Sequence, residues 1–411
     1  MNTRRLLYFL LIIVHITNQK VIRTEPALVI TPVADLIGRP VKQSDMFVNY
    51  SNIPLASGAF QRGQLCPRVH QLIFNEIVDM SKKQCDEARI NISSVYYLAR
   101  NNANPQTAYW TALKNLIPLK TLKEKKVDLS KIPKPIEFWS NGSALYQKNT
   151  ITLILPWTDR YSQQTFSAGT RFVLSKSDEN RKNYSIYIFD PKIMNYRITQ
   201  IPKKLALKND KHRSNTKKTC LFVRLLRIWA HYDNGFIPYV WGGCSFTTTS
   251  KHPFEKKEYG EKGPGTYYFE RPDIKCNPCI GLDCSGMVAR AAQICGIPYF
   301  FKNSTTLASQ MTPLKSKDTL QEGDLLWIPG HVMVIADTSK NTLIEARGYG
   351  SGYGRVHEIQ LNKMFRNINT YGDLLKAYFA GKPLVLMNSK QENRSTLSDY
   401  KILKLASVWN Q

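Results

Sequence analysis

Residues 282–288 read Leu-Asp-Cys-Ser-Gly-Met-Val, and this short run settles more about the chain than any other. Cys284, Val288, Ala291, Ala292 and Cys295 recur at helical spacing, and Gly296 with Pro298 stops the run. Asp283 stands where an N-cap belongs, which puts Cys284 in the first turn of a helix. The unpaired amide hydrogens and the dipole at that end favour thiolate over thiol. The same amides can hold an oxyanion forming on a carbonyl. A buried structural cysteine is the plain alternative, so the choice depends on what the fold brings to Cys284.

A base is available downstream. Residues 323–328 and 331–336 read as strands joined by Pro329-Gly330, and residues 342–345 follow a turn at 337–341. If that five-residue loop closes a hairpin, facing residues have numbers summing to an even value. His331 and Glu345 then share one face, opposite or diagonal to each other. A histidine oriented by a carboxylate is what a thiol nucleophile needs, and a slip of one residue would part the two.

The rest of the chain divides by composition. Its 411 residues suffice for two or three cores. Residues 1–24 carry Arg4, Arg5 and an apolar run at 6–14, the layout of an export signal or uncleaved anchor, too short to span a bilayer by itself. Residues 25–122 hold a proline-punctuated wrap, then strands at 69–80, 94–99 and 108–119. Residues 123–136 turn to Lys, Asp, Ser and Pro and read as a linker. Residues 137–207 again give short strands, at 150–155, 171–175, 184–189 and 196–201. Short strands between turn residues point to two small β-barrels. Residues 208–388 open with an amphipathic helix at 219–231 and contain both motifs above; residues 389–411 form a polar tail.

The 57 Lys and Arg against 31 Asp and Glu give a net charge of +26. Nucleic acid is not the expected partner, because the lysines are spread along the chain and an exported protein rarely meets it. Anionic envelope polymer or lipid headgroups fit better, with a solvated surface lacking any partner as the alternative. Eight cysteines are present, an odd seven if Cys284 stays free. Cys276 and Cys279 form a lone CxxC with no second pair at zinc spacing, so no metal is expected and the pair reads as a local disulfide or as incidental; the thiol chemistry itself needs no organic cofactor.

Residues 238–243 (PYVWGG), Asp283-Cys284-Ser285-Gly286, Gly323-Asp324-Leu325 and His331-Val332-Met333 occur in the order and approximate spacing of the NlpC-type cysteine peptidases. The chain resembles these papain-like cell-wall enzymes over roughly residues 219–386. The resemblance implies that Cys284 is the nucleophile and His331 the general base. It puts Glu345 at the third position, where the family most often has histidine. It further implies that Tyr239 lines the oxyanion site, and that Asp283 and Ser285 grip the free amino end of a stem peptide. Several members carry SH3-like barrels ahead of the peptidase, the first walling the cleft so that only stems with a free N-terminal L-alanine fit. Residues 72–76 and 107–110 are similar to the strands that furnish that wall with an acid and a tyrosine, here Glu76 and Tyr109.

The expected fold is therefore two small all-β SH3-like barrels followed by an α+β papain-like domain. The expected protein is an exported monomer that hydrolyses the bond between γ-D-glutamate and a diamino acid in peptidoglycan stem peptides. Two rivals remain: a thiol-dependent amidase or acyltransferase on envelope lipid or protein, and a non-catalytic wall-binding protein.

Overall fold

The computed structural model describes residues 24–40, 68–92, 94–98, 104–136, 147, 149–175, 182–210, 212–232, 235–247, 255–258, 267–270, 280–298 and 301–409. The export segment, except Thr24, and the CxxC pair lie outside these residues.

The first group of strands comprises β1 (Glu25–Val29), β2 (Val33–Ile37), β3 (Arg68–Ile73), β4 (Ile77–Gln84), β5 (Glu87–Asn91), β6 (Tyr96–Leu98), β7 (Pro105–Gln106), β8 (Ala108–Ala112) and β9 (Leu116–Pro118). Seven of them form one antiparallel sheet in the order β3-β2-β8-β5-β4-β1-β9. Period-two alternation splits β1 between two cores. Ala27 and Val29 face a core with Leu36, Leu72 and Ile90, whereas Leu28 turns to the next core in the chain.

The segment expected as a linker is packed. It begins in the last turn of α1 (Leu119–Glu124) and contains a 3₁₀ turn at Leu129–Lys131. Leu122, Val127 and Ile132 are buried, while the intervening lysines keep their charged ends outside.

The next strands are β10 (Thr150–Leu153), β11 (Trp157–Thr158), β12 (Thr165–Phe166), β13 (Arg171–Val173), β14 (Asn183–Asp190), β15 (Asn195–Pro202) and β16 (Ala206–Lys208). They make a three-stranded sheet, β13-β10-β16, and the hairpins β11-β12 and β14-β15. Their core is aromatic: Phe166 lies 4.7 Å from Phe74, which is contributed by the turn after β3.

The remainder begins with α2 (Asn215–Ala230), capped by Ser214. It continues through β17 (Cys244–Ser245), β18 (Glu255–Glu258), β19 (Tyr267–Glu270), β20 (Gly281–Leu282), α3 (Cys284–Cys295), β21 (Phe301–Lys302) and α4 (Ser304–Gln310). Next come β22 (Leu325–Ile328), β23 (His331–Asp337), β24 (Thr342–Arg347), β25 (Arg355–Gln360), α5 (Leu361–Met364), β26 (Phe365–Arg366), α6 (Tyr371–Phe379), β27 (Leu384–Met387), β28 (Asn393–Leu397) and β29 (Lys401–Leu403).

A five-stranded antiparallel sheet, β25-β24-β23-β22-β29, organises this part. Val332, Val334 and Ala336 of β23 pack towards α2 and α3; Met333 and Ile335 pack towards α6. Residues 389–409 are therefore no tail. β29 pairs with β22, and Leu405 and Val408 enter the core under α2 and α3. Their polar look comes from β28, which is almost wholly exposed.

Polar seams join the three parts. Trp229 Nε1 of α2 donates to the Ile154 carbonyl at 2.9 Å. The Arg290 guanidinium of α3, fully buried, donates to the carbonyls of Cys244 (2.8 Å) and Gln71 (3.3 Å) and lies 3.4 Å from Glu76 Oε1. Gly169, at φ +93°, lets the second group close on the same side chain, since a Cβ there would stand 2.4 Å from Arg290 Cδ. Among the described residues no helix is long and apolar enough to cross a membrane.

Candidate active site

Asp283 is the N-cap of α3 as its position in the sequence requires. Its backbone is extended, and its Oδ1 accepts from the Gly286 amide and from Ser285 Oγ, the latter at 3.0 Å. Cys284 is thus the first residue of the helix, 7% exposed. Beside it runs the PYVWGG segment: the Asp283 amide donates to the Gly243 carbonyl at 3.0 Å, and Tyr239 bridges to Leu282 in parallel. The approach is so close that a Cβ on Gly286 would lie 2.0 Å from the Gly243 oxygen. Only glycine allows the helix start and the loop to meet here.

The loop between β23 and β24 is shorter than expected, since Asp337 pairs with Thr342, but a bulge between Ile335 and Asp337 shifts the register so that Val334 faces Ile344 and Ile335 faces Leu343, numbers that sum to an even value. Glu345 is therefore diagonal to His331, and its Oε2 lies 2.6 Å from His331 Nε2. Glu345 has no exposed surface, whereas the His331 side chain keeps 16% of its own. With Nε2 engaged, Nδ1 is the ring nitrogen left for Cys284, whose sulfur is close enough for its charge to act on the ring. On the other side of β24, Glu345 faces His357 of β25 directly, with Oε1 at 2.9 Å from His357 Nε2. Arg347 Nη1 stands 3.6 Å from the same oxygen.

These contacts move the charges of the group together. Burial opposes a charged His331 ring, but the Cys284 sulfur and the Glu345 carboxylate outweigh it and push the imidazole up to about 9. Burial likewise opposes a charged Glu345; hydrogen bonds from His331 and His357, and their charge, hold it well below the usual carboxylate range. An imidazolium beside a sulfur and a buried carboxylate behind the ring are the parts of nucleophilic thiol chemistry. Among the described residues no group of three His, Cys, Asp and Glu side chains is placed to hold a metal ion.

No family model matches the sequence, and no curated protein matches it. Among solved structures, an NlpC/P60 family protein from Bacillus cereus ATCC 10987 is similar at a TM-score of 0.50 and 15% identity, over 82% of this chain and 94% of its own. The fold is that of an NlpC/P60 protein. NlpC2 from Trichomonas vaginalis aligns with 84% of this chain and 94% of its own, at a TM-score of 0.29 and 12% identity. The peptidoglycan hydrolase RipB from Mycobacterium tuberculosis aligns with 39% and 69%, at 0.22 and 20% identity. At those scores neither adds to the fold assignment.

On this NlpC/P60 fold the structure brings Cys284, His331 and Glu345 together, with Asp283, Ser285 and Tyr239 around the helix start. The Tyr239 ring rests 6.4 Å from that of Tyr349, within the core that also holds Cys284. Asp324 serves the fold: its carboxylate accepts from the amides of Gln321 and Leu405, both at 2.9 Å, and burial pushes it up to about 6.

Tyr109 corrects the expectation of a cleft wall. It is fully buried in the core of the first sheet, its hydroxyl donating to the Gln106 carbonyl at 2.6 Å, so no surface of it can meet substrate. Glu76 is held in the turn between β3 and β4 by the Ile73 amide at 3.0 Å and faces Arg290. A different part of the first group reaches the site. β6 pairs in parallel with β21, Asn303 Nδ2 donates to the Leu98 carbonyl (2.9 Å), and the Asn303 amide donates to Ser285 Oγ (3.2 Å). Asn303 sits at φ +69°, ψ +157°, a conformation that costs a non-glycine residue on the order of 1–3 kcal/mol.

Asn303 and His357 escaped sequence reading. For His357 a signal existed: residues 355–359 carry the β-branched Val356 and Ile359 directly after a turn rich in glycine at 348–354, which is the composition of one more strand.

Proposed function

We propose that the protein is a cysteine peptidase of the cell wall, hydrolysing the bond between γ-D-glutamate and a diamino acid in peptidoglycan stem peptides. One observation carries the reading: Cys284 opens a helix beside His331, whose Nε2 is held by the buried carboxylate of Glu345.

In this mechanism the Cys284 thiolate attacks the γ-glutamyl carbonyl carbon, and the carbonyl electrons move onto oxygen. The amide at the start of α3 and Tyr239 stabilise that oxyanion. His331 gives its proton to the departing amine, the C–N bond breaks, and a thioester remains. His331 then takes a proton from water, the resulting hydroxide attacks the thioester, and the free acid leaves as the thiolate is restored. Glu345 keeps the ring oriented and offsets its charge throughout. Asp283 and Ser285 hold the free amino end of the stem.

The two groups of strands before residue 210 are read as the two SH3-like barrels, with the β6 segment rather than Tyr109 walling the cleft. Export to the periplasm, envelope or exterior, action as a monomer, and attraction of the basic surface to anionic wall polymer complete the proposal.

The test incubates the protein and its Cys284→Ala variant with L-Ala-γ-D-Glu-diaminopimelate, free or acetylated at the alanine amine, and follows products by mass spectrometry. Cleavage after γ-D-glutamate by the parent alone, on the free peptide alone, is the expected result. Parent and variant binding wall fragments equally with neither cutting would overturn it in favour of a binding module. Cleavage of the blocked peptide would remove Asp283 and Ser285 from the amine site.

A further inference from the structure

The geometry points to His357 as a positioning residue for the thiol chemistry, a fourth member of the Cys284–His331–Glu345 group that fixes the carboxylate from behind. The inference deepens the peptidase reading and rests on it for the reaction, but not for its test.

A carboxylate that orients an imidazole through one oxygen can still rotate about its own bond, and the ring then turns with it. Glu345 is denied that freedom. Oε2 meets His331 at 2.6 Å and Oε1 meets His357 at 2.9 Å, from strands on either side of β24. Among the described residues His357 alone completes a hydrogen bond to Oε1. Arg347 stands 3.6 Å away, beyond hydrogen-bond distance, and its guanidinium is engaged by Met364 Sδ at 2.9 Å and the Met387 carbonyl at 2.8 Å. For the bond to exist, His357 must carry its proton on Nε2.

His357 is itself held. It is 7% exposed, and the Tyr353 ring lies 4.4 Å from its own. Its strand is the edge of the sheet, yet it is clipped to the nucleophile side: Val356 donates to the Ile237 carbonyl at 2.9 Å, Pro238 bridges to Arg355, and Tyr239 bridges to Leu282. Residues 237–239 thus set the position of β25 against the start of α3. The charged and titratable groups around His357 are Glu345 and Arg347 on β24, Tyr353 in the preceding turn, Arg355 on its own strand, and Arg394 of β28, which acts on the same carboxylate.

The test needs no peptide. Parent, His357→Phe and His357→Gln are alkylated with iodoacetamide from pH 4 to 9, and the rate at Cys284 is read by mass spectrometry of its peptide. Phe keeps a ring and loses the donor; Gln loses the ring and keeps a donor. His357→Phe is expected to react about tenfold more slowly at pH 6, with the acid limb moved up by about one pH unit, because a loosely held imidazolium stabilises the thiolate less. His357→Gln should return to within about threefold of the parent.

A folded His357→Phe that matches the parent at every pH overturns the inference, as does a folded His357→Gln no faster than His357→Phe. Should His357→Phe not fold, ¹⁵N NMR of the parent decides: a His357 ring that carries a proton on Nε2 supports the role, and a neutral ring protonated at Nδ1 alone overturns it. A His357-dependent alkylation profile in a protein that cuts no stem peptide would remove the substrate assignment and leave this inference standing.

Discussion

Glu345 and Asp35 are both buried carboxylates held by several donors, and they do opposite things. Asp35 of β2 takes a two-pronged contact from Arg68 of β3, at 2.8 and 3.2 Å, and a third bond from Gln71 Nε2 at 2.7 Å. The donors then pass the connection on: Arg68 Nη1 reaches the Trp241 carbonyl at 3.0 Å, and Gln71 Oε1 accepts from the Cys244 amide at 3.0 Å and Ser245 Oγ at 2.7 Å. A guanidinium keeps its proton at any ordinary pH, so this assembly has a fixed charge and acts as a rivet between the first sheet and the loop beside Cys284. Glu345 is held by two imidazoles, one of which lies against a thiol. An imidazole, unlike a guanidinium, can give up its proton within the ordinary pH range, so the same electrostatic arrangement becomes one whose protons can move.

The strongest break in this comparison removes the thiol. Cys284→Ala should lower turnover by about 10⁶-fold while melting close to the parent, as seen by calorimetry and peptide assay together. Next, Glu345→Gln keeps the shape but carries no charge and presents one acceptor atom where there were two. A fall in kcat of roughly 10²- to 10⁴-fold with KM nearly constant is expected from steady-state kinetics.

Asp35→Ala tests the rivet, since it leaves Arg68 buried without its counter-charge. Loss of about 3–5 kcal/mol in urea unfolding at unchanged m-value is expected. The smallest effect is in pH. His331 is raised above its ordinary 6.5, so the stability it contributes is complete below about 6.5 and drains away as pH rises through about 9. Glu345 is depressed below its ordinary 4.5, so its contribution is complete above that value and is lost on acidification below it. Melting temperatures from pH 6 to 9.5 should therefore fall in the parent and flatten in His331→Gln. The Arg68 assembly should leave that slope alone.

What could be read in the chain were the features set by local periodicity and local chemistry. Asp283 announces a helix start by its side chain, and the even-sum rule of a hairpin places His331 and Glu345 on one face whichever of two registers is adopted. Features that depend on distant pairing were closed to such reading. β29 gains its place only by lying against β22, and nothing near Lys401 says so. Tyr109 and the β6 segment lie within a dozen residues of each other and look equally suited to line a cleft. Which of them is buried depends on β8, which carries Tyr109, being flanked by β2 and β5 in the sheet, a long-range event. Residues 123–136 misled through composition: Val127 and Ile132 are few among the lysines, yet they are the residues the neighbouring core takes in.

Arg290 has a thermodynamic consequence. Its guanidinium is compensated by the first sheet through Gln71 and Glu76, by the loop at Cys244, and is walled by Gly169 from the second group. The first sheet cannot pull away without leaving a buried cation short of partners on α3, a penalty comparable with breaking an ion pair in a core. The first sheet and the body that carries α3 are thereby made to share a single fate: calorimetry should record their unfolding as one cooperative endotherm, and Arg290→Met should separate it into two.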